Sequence, residues 1–533
     1  FGSYGEIPIS LFTGKADISV NLHMLTDGNI EIPIGLNYDA TGVRPDIHPG
    51  WTGLNFNLST QYSITRVIKD GPDDSPSGNS LVKHGFIYTA NYINFPEWKT
   101  TGLETIAENS LFSDREPDEF SFNIPGLSGK FYYGHDQTWK VACDRPVKIE
   151  RIGTTSTTLP PFSPPQSGAN TNWHTFYGSY LKHAAGFIVT DEFGTKYEFG
   201  GGNNAFMEYS INFFAQGSAT WLCNAWYLKS ITRQSGQIIN FVYERGSFIA
   251  QMNTSVYNRQ YSFGGGSFLD VYCSQSSSIP GMNGLYNGKL ISPIYLKEIN
   301  ADNFKVKFES SPTTELKYTE DIFSAYIQSW NNDYNNIGTT IDILTYLYNC
   351  LPTYECYEDN RPLSTLLNQL QWRKLDRIKI QDGGASTIKE FEFTYNNIST
   401  ERLMLQKVQE KSGYNSKKNP PYEFLYSDDP ILKLPGYGKS HTDHWGYNNN
   451  KLISSPSDFS SVANYGDAYR TPPTELKYYL LGSLKQIKYP TGGITKFWLE
   501  PHTYSKELKL KRWDGLEPTF TSNKIAGGTR IKE

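Results

Sequence analysis

The chain has 533 residues, with 49 basic and 54 acidic side chains and a formal net charge of −5. Only 19% of residues are charged, no Lys/Arg block stands out and no apolar run reaches the ~18 residues a membrane helix needs, so nucleic-acid binding and a membrane-spanning segment are set aside. Aromatics reach 15%, with 37 Tyr and 30 Phe against 5 Met, and such rings fit a pleated, half-buried surface.

Phe1 stands where a Met would, which reads as a processed or trimmed start. Ala16-Asp-Ile-Ser-Val-Asn-Leu22 alternates with period two and predicts a strand, Asp27-Gly28 a turn, and Ile30, Ile32, Ile34 and Leu36 a second strand. Pro33 lacks an N–H, so it predicts an edge or a bulge there. Asp70-Gly-Pro-Asp-Asp-Ser-Pro-Ser-Gly-Asn79 reads as a surface loop with solvated carboxylates. Residues 85–108 suggest a short helix or irregular insertion, and Glu116 and Asp118 cap a turn before strand Phe120–Phe122. Leu159-Pro-Pro-Phe-Ser-Pro-Pro-Gln-Ser-Gly168 is the clearest linker-like stretch, because its prolines favour extended backbone and exclude a central strand.

One sentence then recurs: Leu-x-x-Ile, a turn, an alternating aromatic strand. It runs through Leu228–Ile231 with turn 234–236, Leu296–Ile299 with turn 301–303, Leu375–Ile378 with turn 382–384, and Leu484–Ile487 with turn Pro490-Thr-Gly-Gly493. The strands after these turns supply candidate core rings Phe241, Tyr243, Phe391 and Phe393, joined by Phe424 and Tyr426. Between them, Ile322, Phe323, Tyr326, Ile327 and Trp330 have helical spacing. The expected fold class is mainly β: a long, curved, antiparallel array of β-hairpins with a small helical insertion. The expected divisions are an N-terminal β region at 1–153, a Pro/Ser-rich loop or linker at 154–172, a hairpin array at 173–313, a partly helical insertion at 314–373 and a continuing array at 374–533. Ile531 reads as the start of a further strand, so more protein is expected beyond Glu533.

Chemistry is sparse. No Cys-x-x-Cys, His-Glu-x-x-His or Gly-x-Ser-x-Gly pattern occurs. His441-Thr-Asp-His444 is the densest metal-type cluster, but it lacks a fourth ligand nearby and reads better as a polar turn before a Trp445 anchor. Gly200–Gly202 and Gly264–Gly266 lack the context of a phosphate cradle. Cys350 and Cys356 bound a loop that a disulfide would close in an exported protein; the alternative is two unlinked thiols. No catalytic residue, metal or cofactor is assigned.

Several short motifs share an order. They are Tyr4-Gly-Glu-Ile-Pro-Ile-Ser-Leu-Phe-Thr-Gly14, Tyr38-Asp-Ala-Thr-Gly42, Trp51-Thr-Gly-Leu54, Ile64-Thr-Arg66, Glu116–Phe122 with Gly126–Phe131, Thr190–Gly200, Asp443-His-Trp-Gly-Tyr447, Tyr489–Gly493 and Gly527-Gly-Thr-Arg-Ile531. Together they resemble the N-terminal region of RHS/YD-repeat proteins of the Bacteroidetes type. The pattern departs at Asn55-Phe56, where Gly-Trp is usual, and at Gln61-Tyr62, where Gly-Gly is usual. The resemblance singles out Trp51, Arg66, Asp443, Trp445, Gly446, Pro490, Gly492 and Gly493 as structural motif residues. It implies a non-enzymatic shell or scaffold segment of an exported protein, secreted or on the cell surface, that encloses, presents or delivers a C-terminal payload, typically a toxin. A protein partner or secretion machinery would follow. The alternative is an adhesin, or a module binding surface glycans or proteins through loop aromatics Trp98, Trp173, Tyr177, Trp330 and Tyr334. A third reading is a hydrolase with residues gathered from distant strands.

Overall fold

In the computed structural model the described residues are 8–10, 14–75, 84–89, 114, 116–160, 179–202, 204–212, 220–254, 286–319, 367–415, 417–428, 432–452, 470–473, 475–511 and 515–532. Cys350, Cys356, most of the expected helical insertion, and all five loop aromatics fall outside them.

The chain is mainly β. Strands β1 (Asp17–Asp27), β2 (Ile30–Asp39) and β3 (Phe56–Leu58) form a three-stranded sheet. Then follow β4 (Ser63–Val67), a single helical turn α1 (Phe86–Thr89), β5 (Glu119–Ile124), β6 (Leu127–Tyr133), β7 (Trp139–Cys143), β8 (Val147–Thr155), β9 (Ser179–Tyr180), β10 (His183–Asp191), β11 (Lys196–Gly200), β12 (Met207–Asn212) and β13 (Thr220–Thr232). Next come β14 (Ile238–Arg245), β15 (Ile249–Thr254), β16 (Tyr286–Ser292), β17 (Ile294–Asn300), β18 (Phe304–Pro312), β19 (Arg373–Asp382), β20 (Thr387–Tyr395), β21 (Leu405–Ser412) and β22 (Tyr422–Tyr426). Last are β23 (Ser440–Thr442), β24 (Asn448–Leu452), the helical turn α2 (Lys477–Leu480), β25 (Leu484–Lys488), β26 (Ile494–Lys496), β27 (Leu499–Lys511) and β28 (Gly515–Ile531).

Strands β4 to β22 with β25 and β26 make one 21-stranded sheet, while β23–β24 and β27–β28 are separate two-stranded ribbons. Long strand β13 is the junction. Its first half pairs with β4 and β12, its second half with β11 and β14. From β14 an antiparallel run passes through β17, β18, β19, β20, β21, β22 and β25 to β26. All four repeated Leu-x-x-Ile stretches lie in this system as the incoming strands of hairpins.

Alternation gives the run two unlike faces. Phe241, Phe304, Val306, Phe308, Ile378, Ile380, Phe391, Phe393, Phe424 and Ile487 are buried in one continuous core. On the other face, charges pair across strands: Arg377 with Glu309 and Glu390, Lys411 with Glu390 and Glu392, Lys389 with Glu410, and Lys407 and Lys488 with Glu423. Each such exposed pair contributes roughly 0.2–1 kcal/mol.

The N-terminal sheet covers the apolar face. At the β1–β2 turn Arg233 pairs with Asp27 at 2.8 Å and Asn303 donates to Thr26 O. At the other end Phe56 meets Phe424 edge-on at 5.0 Å and Tyr38 Oη accepts from Leu484 N. The hairpin therefore runs across the strands of the large sheet, from the tips of β13 and β17 to β22 and β25. Pro33 sits on β2 opposite Met24, on the stretch that β3 leaves uncovered, and a bulge lies nearby between Asn21 and His23.

Candidate functional site

Arg66 lies on β4, where alternation aims Ile64 and Arg66 inward. A buried guanidinium needs partners. Its Nη1 contacts Asp74 Oδ1 at 2.6 Å and lies 3.7 Å from Asp118 Oδ2, Nη2 donates to Cys223 O, and the group stands 5.2 Å over the Trp226 ring. Asp74 Oδ2 accepts from Ala184 N at the start of β10. Asp118 accepts from Lys69 N and Asp73 N, and returns its own N–H to Asp73 Oδ1 at 2.9 Å. Asp114 accepts from Glu116 N. Four segments distant in sequence thus meet at one cluster.

At Asp73 and Asp74 this overturns the expectation of solvated carboxylates in the loop after Lys69, whereas Asp70 is exposed as expected. Asp73 is 0% and Asp74 2% exposed. The acidic run reads as a surface turn because its partners, Arg66 aside, are backbone N–H groups as far as 110 residues away. Asp118 does cap a turn, but the turn belongs to this distant loop.

Burial sets the protonation states. It works to raise Asp74, yet the Arg66 charge and the Ala184 N–H outweigh it and hold that carboxyl below its ordinary value. Burial pushes Asp118 up to about 6 against the pull of Arg66. Asp114 rises to about 7, by burial and then the Asp118 charge. Asp73 rises to about 9 for the same reasons. Burial also lowers His183, whose Nδ1 faces Ala184 O and whose Nε2 faces the Tyr209 hydroxyl. The Cys223 thiol is pushed far up by burial, which disarms it as a nucleophile. The cluster can tie segments together and hold or release a proton.

A second node joins the N-terminal sheet to the wall. His48 stacks on Trp372 at 4.1 Å and on Tyr437 at 5.1 Å. Arg402 lies 4.1 Å over the Tyr437 ring and donates to the carbonyls of Pro45, Ile47 and Pro435. Trp51 O accepts from Leu375 N and its ring meets Tyr295 at 5.5 Å.

The remaining motif residues build turns. Asp443 is buried and accepts from Trp445 N, Tyr447 N and the Tyr479 hydroxyl. Tyr447, not Trp445, is the buried ring; Trp445 stays 43% exposed because Gly446, at φ +88°, turns the chain between them. Gly527 approaches this turn so closely that a Cβ would fall 2.6 Å from Trp445 Cβ. Thr529 N and Oγ1 donate to Thr41 O and Ala40 O. Motifs 38–42, 443–447 and 527–531 therefore converge in space. The turn at Pro490, Gly492 and Gly493 closes with Tyr489 N donating to Gly493 O and Gly492 N to Tyr489 O. An open cleft lined by Asn29, Phe193, Thr195, Arg233 and Gln234 marks where three hairpin turns meet. Among the described residues no group of His, Cys, Asp and Glu has the arrangement of a metal site.

No family model and no curated protein matches the chain. Among solved structures it is similar to the Photorhabdus luminescens Tc holotoxin pore, at 11% identity over 78% of this chain and 16% of that one, TM-score 0.30. It is also similar to a TcdB2–TccC3 structure, at 10% identity over 81% and 17%, TM-score 0.32. A third is the N-terminal domain of the Salmonella typhimurium effector SpvB, at 10% identity over 74% and 98%, TM-score 0.28. The chain spans under a fifth of the length of the first two.

Proposed function

We propose that the chain is a non-enzymatic shell or scaffold segment of an exported RHS-like protein, and that it encloses, presents or delivers a payload carried after residue 533. The observation that carries this reading is the two-faced wall. An unbroken antiparallel run from β14 to β26 buries apolar side chains on one face beneath the N-terminal sheet and carries cross-strand ion pairs on the other. Such a sheet is built to separate two spaces. The resemblance of the ordered motifs to RHS/YD-repeat proteins supports the same reading, and with it a protein that works outside the cytoplasm, secreted or at the cell surface. Protein partners would meet it along sheet edges, where backbone groups remain available.

The test is electron cryomicroscopy of the native full-length protein. The expected map shows this sheet as a wall with the rest of the chain lying behind it. A compact particle with the charged face buried against another domain would overturn the reading. So would a hydrolytic activity lost on substituting Asp73, Asp114 or His183.

A further inference from the structure

Three hairpin turns meet at the cleft beside Arg233: residues 27–30 between β1 and β2, 191–195 between β10 and β11, and 233–237 between β13 and β14. The cleft measures about 600 Å³, a volume in the range of small-ligand sites. Phe193 is out of place in it. Turn tips ordinarily carry polar residues, yet this ring stands 61% exposed. The turn beneath it is tightly bonded. Asp191 Oδ1 accepts from Phe193 N and from Thr195 N at 2.9 Å each, Asp191 O accepts from Gly194 N, and Asp191 N donates to Thr195 O. An apolar surface is thus displayed to solvent on a rigid support.

The charges around the cleft are already matched. Arg233 Nη2 donates to Asp27 Oδ2 at 2.8 Å, and the guanidinium fills the space that a Cβ on Gly28 would need. Glu192 Oε1 accepts from Arg145 Nη1 at 3.2 Å. The side-chain amides of Asn29 and Gln234 are different: both are exposed, and neither has a partner among the described residues. Each offers two N–H donors and a carbonyl acceptor. An ionic ligand would find no unmatched countercharge here, and a wholly apolar one would strip water from both amides without replacing it.

We propose that this cleft binds a neutral saccharide, with an apolar CH face of a sugar ring packed on Phe193 and the ring hydroxyls bonded to the amides of Asn29 and Gln234. A sugar ring carries both properties at once: C–H groups on its faces and hydroxyls, each donor and acceptor, around its rim. Asp27 and Arg233 are positioning residues, because their ion pair fixes the β1–β2 turn against the β13–β14 turn and so sets Asn29 relative to Gln234. This goes beyond the shell reading and does not depend on it.

Saturation-transfer difference NMR of the 533-residue chain tests it, with the methyl glycosides of glucose, galactose, mannose, fucose and N-acetylglucosamine, each at millimolar concentration. At least one should receive saturation, concentrated on the C–H protons of one ring face. Phe193→Ala and Gln234→Ala should each weaken its binding roughly fivefold to tenfold. Both side chains are exposed, so the chemical denaturation midpoint should stay where it is in the parent chain. Gln234→Glu, which keeps the shape and adds an unmatched charge, should weaken binding as well. No transfer to any of the five glycosides overturns the site. So does transfer only to the charged methyl glycoside of N-acetylneuraminic acid, equal binding of a neutral Ser/Gly peptide, or binding that is unchanged in the folded Phe193→Ala chain.

Discussion

Single residues matter most in this chain where a charge is buried. Arg66 holds Asp74 directly and shields Asp118, and removing it leaves two carboxyls without their cation. Arg66→Ala should cost about 3–5 kcal/mol, as breaking a buried ion pair does; urea denaturation at pH 7 measures it. A loss below about 1 kcal/mol would mean that the backbone N–H groups alone satisfy the cluster. His48 has the opposite pH sign from Asp73. Burial lowers it to about 3, so the stability it secures is present above about 6.5 and is lost as pH falls toward 3. Its neighbours Asp46 and Glu315, raised by burial to about 6 and about 7, pull the other way. The clean measurement is therefore a difference. Between pH 6.5 and 4, the stability of the parent chain relative to His48→Phe should fall by up to about 1.4 kcal/mol per pH unit. A flat difference would place the titration elsewhere.

Elements were the most legible level. The recurring Leu-x-x-Ile, turn and aromatic strand encode hairpins because side-chain period, turn chemistry and β-propensity agree there. Phe391 and Phe393 face inward on β20 while Glu390 and Glu392 face out, as the alternation requires. Phe391→Ala should cost about 3–5 kcal/mol in chemical denaturation, since the ring is almost wholly buried. At the Pro490–Gly493 turn, Gly492 has φ +90° with no atom near its missing Cβ, so Gly492→Ala should cost only about 1 kcal/mol, from backbone strain alone. What the sequence hid is instructive. Asp73 and Asp74 look like a solvated turn because nothing local reveals that Asp118, just before β5, and Ala184 on β10 bring partners to them. Arg402 and His48 were equally silent, being 354 positions apart and joined only by the fold. Motif order hinted at a shared architecture, yet not that residues 38–42, 443–447 and 527–531 would meet.

At the scale of the molecule, the question is whether the N-terminal sheet and the large sheet are one cooperative body. Their core is continuous: Ile34, Leu36 and Phe56 belong to the same buried cluster as Phe241, Phe391 and Phe424. The polar ties are spread along the whole contact, from Asp27–Arg233 through Asp46, His48 and Arg402 to Tyr38–Leu484. Each sheet covers apolar surface that the other would otherwise expose to water, and no single tie holds the contact. Unfolding one sheet should therefore expose enough of the other to unfold it as well. Asp27 and Arg233 test this, because they are 206 residues apart and their side chains are only 14% and 11% exposed. A double-mutant cycle with Asp27→Asn and Arg233→Met, read from global chemical denaturation, should return a coupling of about 1 kcal/mol or more. Far-ultraviolet circular dichroism and Trp fluorescence should report one coincident transition in all four proteins. If the coupling vanishes and the transitions separate, the N-terminal sheet is an independent unit resting on a wall that stands without it.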